Sequence, residues 1–118
     1  MKREVKFQDR RIIYQVSGMG LPLVLLHGFL LTSGIWGKFR DLLAQKYLVI
    51  TPDLPGHGMS DDYLPEHSMN LMAEVVLRIL EKEHLQKVYL IGHSMGGYVT
   101  LAFREQYPER LKAFALLN

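Results

Sequence analysis

The spacing of apolar residues changes several times along the chain, and each change marks an element. Glu4 to Gln8 and Arg11 to Val16 alternate as extended structure does. Asp9-Arg10 suits a tight turn between them, so an N-terminal hairpin is predicted. Gly18-Met19-Gly20 breaks that pattern. Leu23-Val24-Leu25-Leu26 is then a short unbroken apolar run ending at His27-Gly28, as expected for a strand buried on both faces. From Ser33 the period lengthens: Ile35, Trp36, Phe39, Leu42 and Leu43 form one helical stripe, with Lys38, Arg40, Asp41 and Gln45 off it. Thr32 or Ser33 can cap this helix, because a hydroxyl oxygen accepts a free first-turn N–H.

Tyr47 to Ile50 is the next buried strand, stopped by Pro52, and Pro55-Gly56-His57-Gly58 is loop. A second helix starts near Ser68, with Met72, Val75, Val76, Ile79 and Leu80 on one face and Glu81-Lys82-Glu83 at its wet end. Val88 to Ile91 is a third buried strand running into Gly92. A third helix follows Ser94 and is ended by Pro108, and Leu111 to Leu117 is a last apolar strand. From residue 23 onward strand and helix alternate through connections too long for hairpins. That order requires parallel strands with helices on both faces, an α/β fold of about six strands including the N-terminal antiparallel hairpin. No repeat, low-complexity tract or linker divides residues 1–118, which are expected to form a single α/β domain.

Bulk properties narrow the chemistry. With 48% hydrophobic and 22% charged residues, the 118-residue chain has an ordinary globular balance and can bury a core. The net charge is only +2, and the basic pairs Lys2-Arg3 and Arg10-Arg11 are too short to track nucleic acid. Cysteine is absent, which excludes disulfides and thiolate chemistry. The five histidines include no His-x-His or His-x-x-x-His pair, so no metal site is expected; no organic cofactor is expected either. Met1 to Arg11 has no apolar core of a signal peptide, and Leu21 to Leu26 is too short to span a bilayer. A cytoplasmic location is the default expectation.

The segment most suggestive of chemistry is Gly92-His93-Ser94-Met95-Gly96-Gly97, a G-x-S-x-G pattern between a buried strand and a helix. A serine at so tight a turn is held out at the carboxyl edge of the sheet. Glycines flank it because side chains there would collide with the turn or the neighbouring strand. The N–H groups at the start of the following helix face developing negative charge. A phosphate-cradling turn is the competing interpretation, but the segment lacks the P-loop lysine and the spacing of a dinucleotide fingerprint.

Taken with two further landmarks, this segment resembles the α/β-hydrolase fold family, in particular its smaller bacterial lipase- and esterase-like members. His27-Gly28-Phe29 follows the first buried strand, where such enzymes keep their oxyanion loop. Asp53-Leu54-Pro55-Gly56-His57-Gly58-Met59-Ser60 looks like the family's D-x-x-G-x-G-x-S loop. The resemblance implies that Ser94 is the nucleophile toward an acyl ester. It implies also that the backbone N–H groups of Phe29 and Met95 hold the oxyanion. Serine at this position speaks against the family's dehalogenases and epoxide hydrolases, which place aspartate there.

The remaining candidates receive structural roles. His27, Gly28, Asp53, Gly92 and Gly96 are expected to shape the loops, with Asp53 accepting backbone N–H bonds. His93 is expected to pack with its side chain turned from the serine hydroxyl. His57 is taken as a plain loop residue, His67 as one preceding a helix cap, and His84 as one closing a helix. Trp36, Met69 and Met72 are assigned to the core.

The family's triad order is serine, acid, histidine. After Ser94 the only acids are Glu105 and Glu109, and no histidine follows. The resemblance thus covers the N-terminal portion of the core, without its last strands or lid. The chain alone is expected to be inactive toward esters. Leu111 to Leu117 would be a sheet edge, and self-association through it is expected. A C–C bond hydrolase, a lyase or an acyltransferase on the same scaffold, and a non-catalytic self-associating module, are the alternatives.

Overall fold

Alternation along the central strands puts successive side chains into different surroundings. Leu23 and Leu25 face one side of the sheet with Val49, Trp36, Leu43, Tyr89 and Ile91, while Val24 and Leu26 face the other with Ile50, Val88 and Leu90. The computed structural model describes residues 1–29, 31–61 and 68–117. His67 and the approach to the second helix's cap lie outside them.

The strands are β1 (Lys2–Phe7), β2 (Arg10–Ser17), β3 (Leu21–Leu26), β4 (Tyr47–Pro52), β5 (Val88–His93) and β6 (Leu111–Leu117). The helices are α1 (Gly37–Leu43), α2 (Met69–Lys82) and α3 (Met95–Gln106), with 3₁₀ turns at Ser33–Trp36 and Pro108–Arg110. Spatial order is β1-β2-β4-β3-β5-β6. The β1–β2 and β2–β4 pairs are antiparallel, and β4–β3, β3–β5 and β5–β6 are parallel. The chain steps from β3 outward to β4, then returns to the other side of β3 to lay down β5. The order of strands therefore reverses between β3 and β5, and their carboxyl ends flank a crevice.

Two features differ from expectation. The hairpin turn is Gln8-Asp9, one residue earlier than Asp9-Arg10, since both residues take positive φ (53° and 61°) and Phe7 pairs with Arg10. Two successive positive-φ residues make the turn whose twist matches a two-residue hairpin. The stripe from Ile35 to Leu43 also fails as a buried face. Trp36 is buried, but Ile35 and Phe39 are exposed and Leu42 is 63% exposed. The segment opens as a 3₁₀ turn capped by Thr32 and becomes α-helical only at Gly37, so its residues leave the 3.6-residue stripe.

Helix α2 follows its pattern: Leu71, Met72, Val75, Val76, Ile79 and Leu80 are buried. Ser68 accepts the Leu71 N–H at its start. At its end His84 takes φ 59°, and the Leu85 N–H returns to the Leu80 carbonyl, a left-handed cap that closes the helix. The hairpin is tied to this end by Glu83, which receives Tyr14 Oη at 2.5 Å and Arg3 at 2.5 Å. Among the described residues no helix is long and apolar enough to cross a membrane.

Candidate active site

Strand β5 ends at His93 and α3 begins at Met95, leaving a single residue to turn the chain. That residue, Ser94, takes φ 55° and ψ −113°, a conformation costly for any side chain larger than hydrogen, and its side chain is exposed. It is held on two sides. Its N–H donates to the Leu117 carbonyl at 3.1 Å, and its carbonyl accepts the Gly97 N–H at 2.8 Å, which starts the helix. The Met95 N–H stands at the first position of α3, where an α-helix offers no internal acceptor.

The glycines on either side explain how so sharp a turn fits. A methyl group on Gly92 would run into the Gly96 carbonyl and Thr100 Oγ1, so α3 lies directly against the end of β5. One on Gly96 would strike the carbonyls of Leu26 and His27, so the helix also presses on the end of β3. Gly97 meets only ordinary contacts there and is not required by space.

Across the crevice, β3 runs into His27-Gly28-Phe29. A methyl group on Gly28 would lie 3.2 Å from Ser94 Cβ and 3.1 Å from His93 Nδ1, so this turn is packed directly on the elbow. The Phe29 side chain is 64% exposed and sits edge-on to His57, with ring centroids 5.8 Å apart. His27 is fully buried. Its Nε2 accepts the Leu54 N–H at 3.0 Å, which leaves the proton on Nδ1 to be donated to the Gly28 carbonyl at 2.8 Å. Burial is the main force holding its pKa below the ordinary 6.5. The Gly28 bond opposes that shift, and the nearby His57 adds to it.

Asp53, at the end of β4, fastens the third loop. One carboxylate oxygen accepts the Ser33 N–H at 2.8 Å and the other the Met59 N–H at 3.1 Å, while its carbonyl accepts from Ser60 Oγ at 2.6 Å. Ser60 Oγ in turn accepts the Ile13 N–H at 2.8 Å, anchoring the loop to β2. The structure thus gathers His27, Gly28, Phe29, Gly92, Ser94, Met95 and Gly96 at the carboxyl ends of β3 and β5, with Asp53 securing the neighbouring loop.

His57 lies in a loop, as expected, but carries more than its sequence neighbourhood suggested. It is buried, bonds the Pro55 carbonyl through Nδ1 at 3.0 Å and lies 5.1 Å from the His27 ring. The signal available was its place in a loop following a buried strand that neighbours β3. His93 packs against Gly28, and its Nδ1 is buried with no hydrogen-bond partner among the described residues. Among those residues no group of three or more His, Asp or Glu side chains converges as metal ligands would. A cleft of about 390 Å³ lies away from the elbow, on the α1 side of the sheet between Leu23, Tyr47, Tyr89, Ile91 and Ala113.

The profile of the alpha/beta hydrolase fold family matches residues 22–118. The pimeloyl-[acyl-carrier protein] methyl ester esterase of Nitrosomonas europaea is 34% identical over 103 residues, covering 87% of this chain and 39% of that protein. Among solved structures, the epoxide hydrolase CorEH superposes with a TM-score of 0.97 at 30% identity, covering all of this chain and 42% of its own. A thermophilic esterase from Thermogutta terrifontis does so with a TM-score of 0.92 at 32% identity, covering 98% and 44%. The chain spans only about a quarter to two fifths of the length of the curated relatives it matches. With the profile matched over most of its length, the chain belongs to the alpha/beta hydrolase fold family.

Proposed function

We propose that the chain is the nucleophile-bearing portion of a carboxylic-ester hydrolase. Ser94 Oγ attacks the acyl carbonyl, and the alkoxide formed is held by the N–H groups of Phe29 and Met95. The alcohol then leaves, and water releases the acid from the acyl-serine. The observation that carries this reading is the strained, exposed Ser94 with Gly28 packed so closely on it that a methyl group at residue 28 would lie 3.2 Å from Ser94 Cβ. Together they put a hydroxyl beside two turns able to offer backbone N–H groups. The likeness to an epoxide hydrolase supports the scaffold, while serine at the elbow favours acyl transfer over the aspartate chemistry of those enzymes.

A serine hydroxyl needs a base at neutral pH. The 118 residues contain no histidine after Ser94, His27 and His57 are committed to backbone partners, and His93 Nδ1 is buried against Gly28. Alone, the chain is therefore inactive toward esters. It is expected to release p-nitrophenol from p-nitrophenyl acetate at a rate that Ser94→Ala leaves unchanged. Joined to a polypeptide supplying the acid and the histidine, it is expected to hydrolyse the ester, with a loss of at least about 10³-fold on Ser94→Ala. Turnover by the chain alone that vanishes with Ser94→Ala overturns the first statement. Indifference of the joined enzyme to Ser94→Ala overturns the second.

Strand β6 is the surface suited to a second copy of the chain. Among the described residues it is one of the sheet's two edge strands, and Ala113, Phe114, Ala115, Leu116 and Leu117 are all exposed on it. An apolar edge with unpaired backbone groups recruits another strand.

A further inference from the structure

The loop over residues 53–61 is fixed along its backbone. Asp53 accepts the Met59 N–H at 3.1 Å, Ser60 Oγ joins the Asp53 carbonyl to the Ile13 N–H, and the Asp61 N–H donates to the Arg11 carbonyl at 2.8 Å. A methyl group on Gly58 would strike the Asp53 carboxylate, so the chain passes hard against Asp53 just before Met59. Met59 itself is 56% exposed, and its thioether reaches the start of β1, where Lys2 Nζ donates to Sδ at 3.1 Å. Among the described residues the Lys2 ammonium has no other hydrogen-bond or ion-pair partner. A thioether sulfur is a weak acceptor, so a strong donor is held here on a poor partner.

We propose that Met59 is a site of oxidative modification by peroxide, at which conversion of the thioether to a sulfoxide gives Lys2 a strong acceptor and fastens β1 to the 53–61 loop. A sulfur lone pair takes the near oxygen of hydrogen peroxide, and the O–O bond breaks as the S–O bond forms. The departing hydroxide collects the proton of the transferred oxygen and leaves as water. Sulfur gives up two electrons and the peroxide is reduced by two. The new oxygen carries partial negative charge, so it accepts from the ammonium through a charge-assisted bond of about 2.8 Å. Both side chains are exposed and free to adjust to that length.

Sulfoxide formation ordinarily weakens a fold, because it forces a polar group into an apolar contact. Met72 and Met95 would suffer in that way, being buried, and Met69 is half-buried on α2. Met1 and Met19 are as open to peroxide as Met59, but among the described residues no cation is hydrogen-bonded to their sulfur. Met59 alone combines access with a waiting cation, which reverses the usual sign of the effect. The loop so fastened also carries His57 against Phe29, at the rim of the crevice.

Treating the intact chain with hydrogen peroxide at neutral pH, then mapping its peptides by mass, is expected to place oxygen on Met1, Met19 and Met59 before Met72 and Met95. The thermal unfolding midpoint is then compared between treated and untreated samples of the unsubstituted chain and of Met59→Leu. Met59→Leu carries the same sulfoxides at Met1 and Met19, so the difference between the two shifts belongs to Met59. That difference is expected to be a rise of about 1–4 °C, the size of one exposed charge-assisted pair in a domain of this length. Lys2→Ala, at an exposed position, is expected to oxidise at Met59 all the same and to show no such rise. Resistance of Met59 to peroxide while Met19 is converted overturns the proposal. So does a difference that is zero or negative, or a rise that survives in Lys2→Ala. None of these readings depends on Ser94, so the result stands apart from that of the ester assay.

Discussion

The two faces of the sheet are built from equally apolar strands yet are finished very differently. On one face α2 and α3 cover Val24, Leu26, Ile50, Val88 and Leu90, and Val75, Val76, Ile79, Val99 and Phe103 are inaccessible to water. On the other, Leu23, Leu25, Val49 and Trp36 form a small cluster, and the sheet beyond them opens into the cleft beside β6. The difference teaches that strand pattern reports burial within a sheet layer, whereas the cover over that layer depends on which helices arrive. A helix with the same apolar spacing closes one face and leaves the other half open.

The largest effect that would sharpen this contrast belongs to the covered face. Phe103→Ala removes a ring with no exposed surface and should cost about 3–5 kcal/mol in urea unfolding, whereas Leu42→Ala on the open side should stay within about 0.5 kcal/mol. Equal losses at the two positions would break the comparison.

A smaller effect is expected where the hairpin meets α2. Glu83→Ala strips the buried Tyr14 hydroxyl of its acceptor and should cost about 1–3 kcal/mol. Burial raises the Glu83 carboxyl, but bonds from Tyr14 and Arg3 and the charges of Arg3 and Lys82 outweigh it, so its pKa lies below the ordinary 4.5. The stability it contributes is therefore present above that value and is lost as pH falls through the lowered one. Glu83→Gln should flatten this acid limb of the unfolding midpoint, and an unchanged limb would remove Glu83 from the account.

The smallest change in stability is expected on β6. Leu116→Lys alters an exposed side chain and should shift the unfolding free energy by no more than about 0.5 kcal/mol. Light scattering should nonetheless show it breaking self-association through the edge. A clean monomer for the unsubstituted chain at high concentration would count against that interface.

What was legible in the sequence was local. Leu23 to Leu26 and Val88 to Ile91 announced strands by unbroken apolar runs, Leu111 to Leu117 by a run interrupted only at Lys112, and α2 announced itself by its stripe and its Ser68 cap. The glycines at 92 and 96 declared a crossing with no room for a side chain, and the structure locates what they avoid. The α1 stripe misled because its spacing could not reveal that the segment would open as a 3₁₀ turn, leaving Ile35 and Phe39 outward, nor that Leu42 would stay exposed. The Arg3–Glu83–Tyr14 cluster was invisible for another reason. Its members stand up to 80 positions apart, and only the folded sheet brings them together. The burial of His57 beside His27 is of the same kind.

The crossing of α3 over the ends of β3 and β5 has a consequence for how such a chain can diversify. Residues 92 and 96 admit only hydrogen, so the serine's location tolerates almost no drift across generations of substitution. Phe29, Met59 and Tyr98, by contrast, are exposed. Novelty in what is recognised can accumulate at such outward positions while the anvil beneath them stays still.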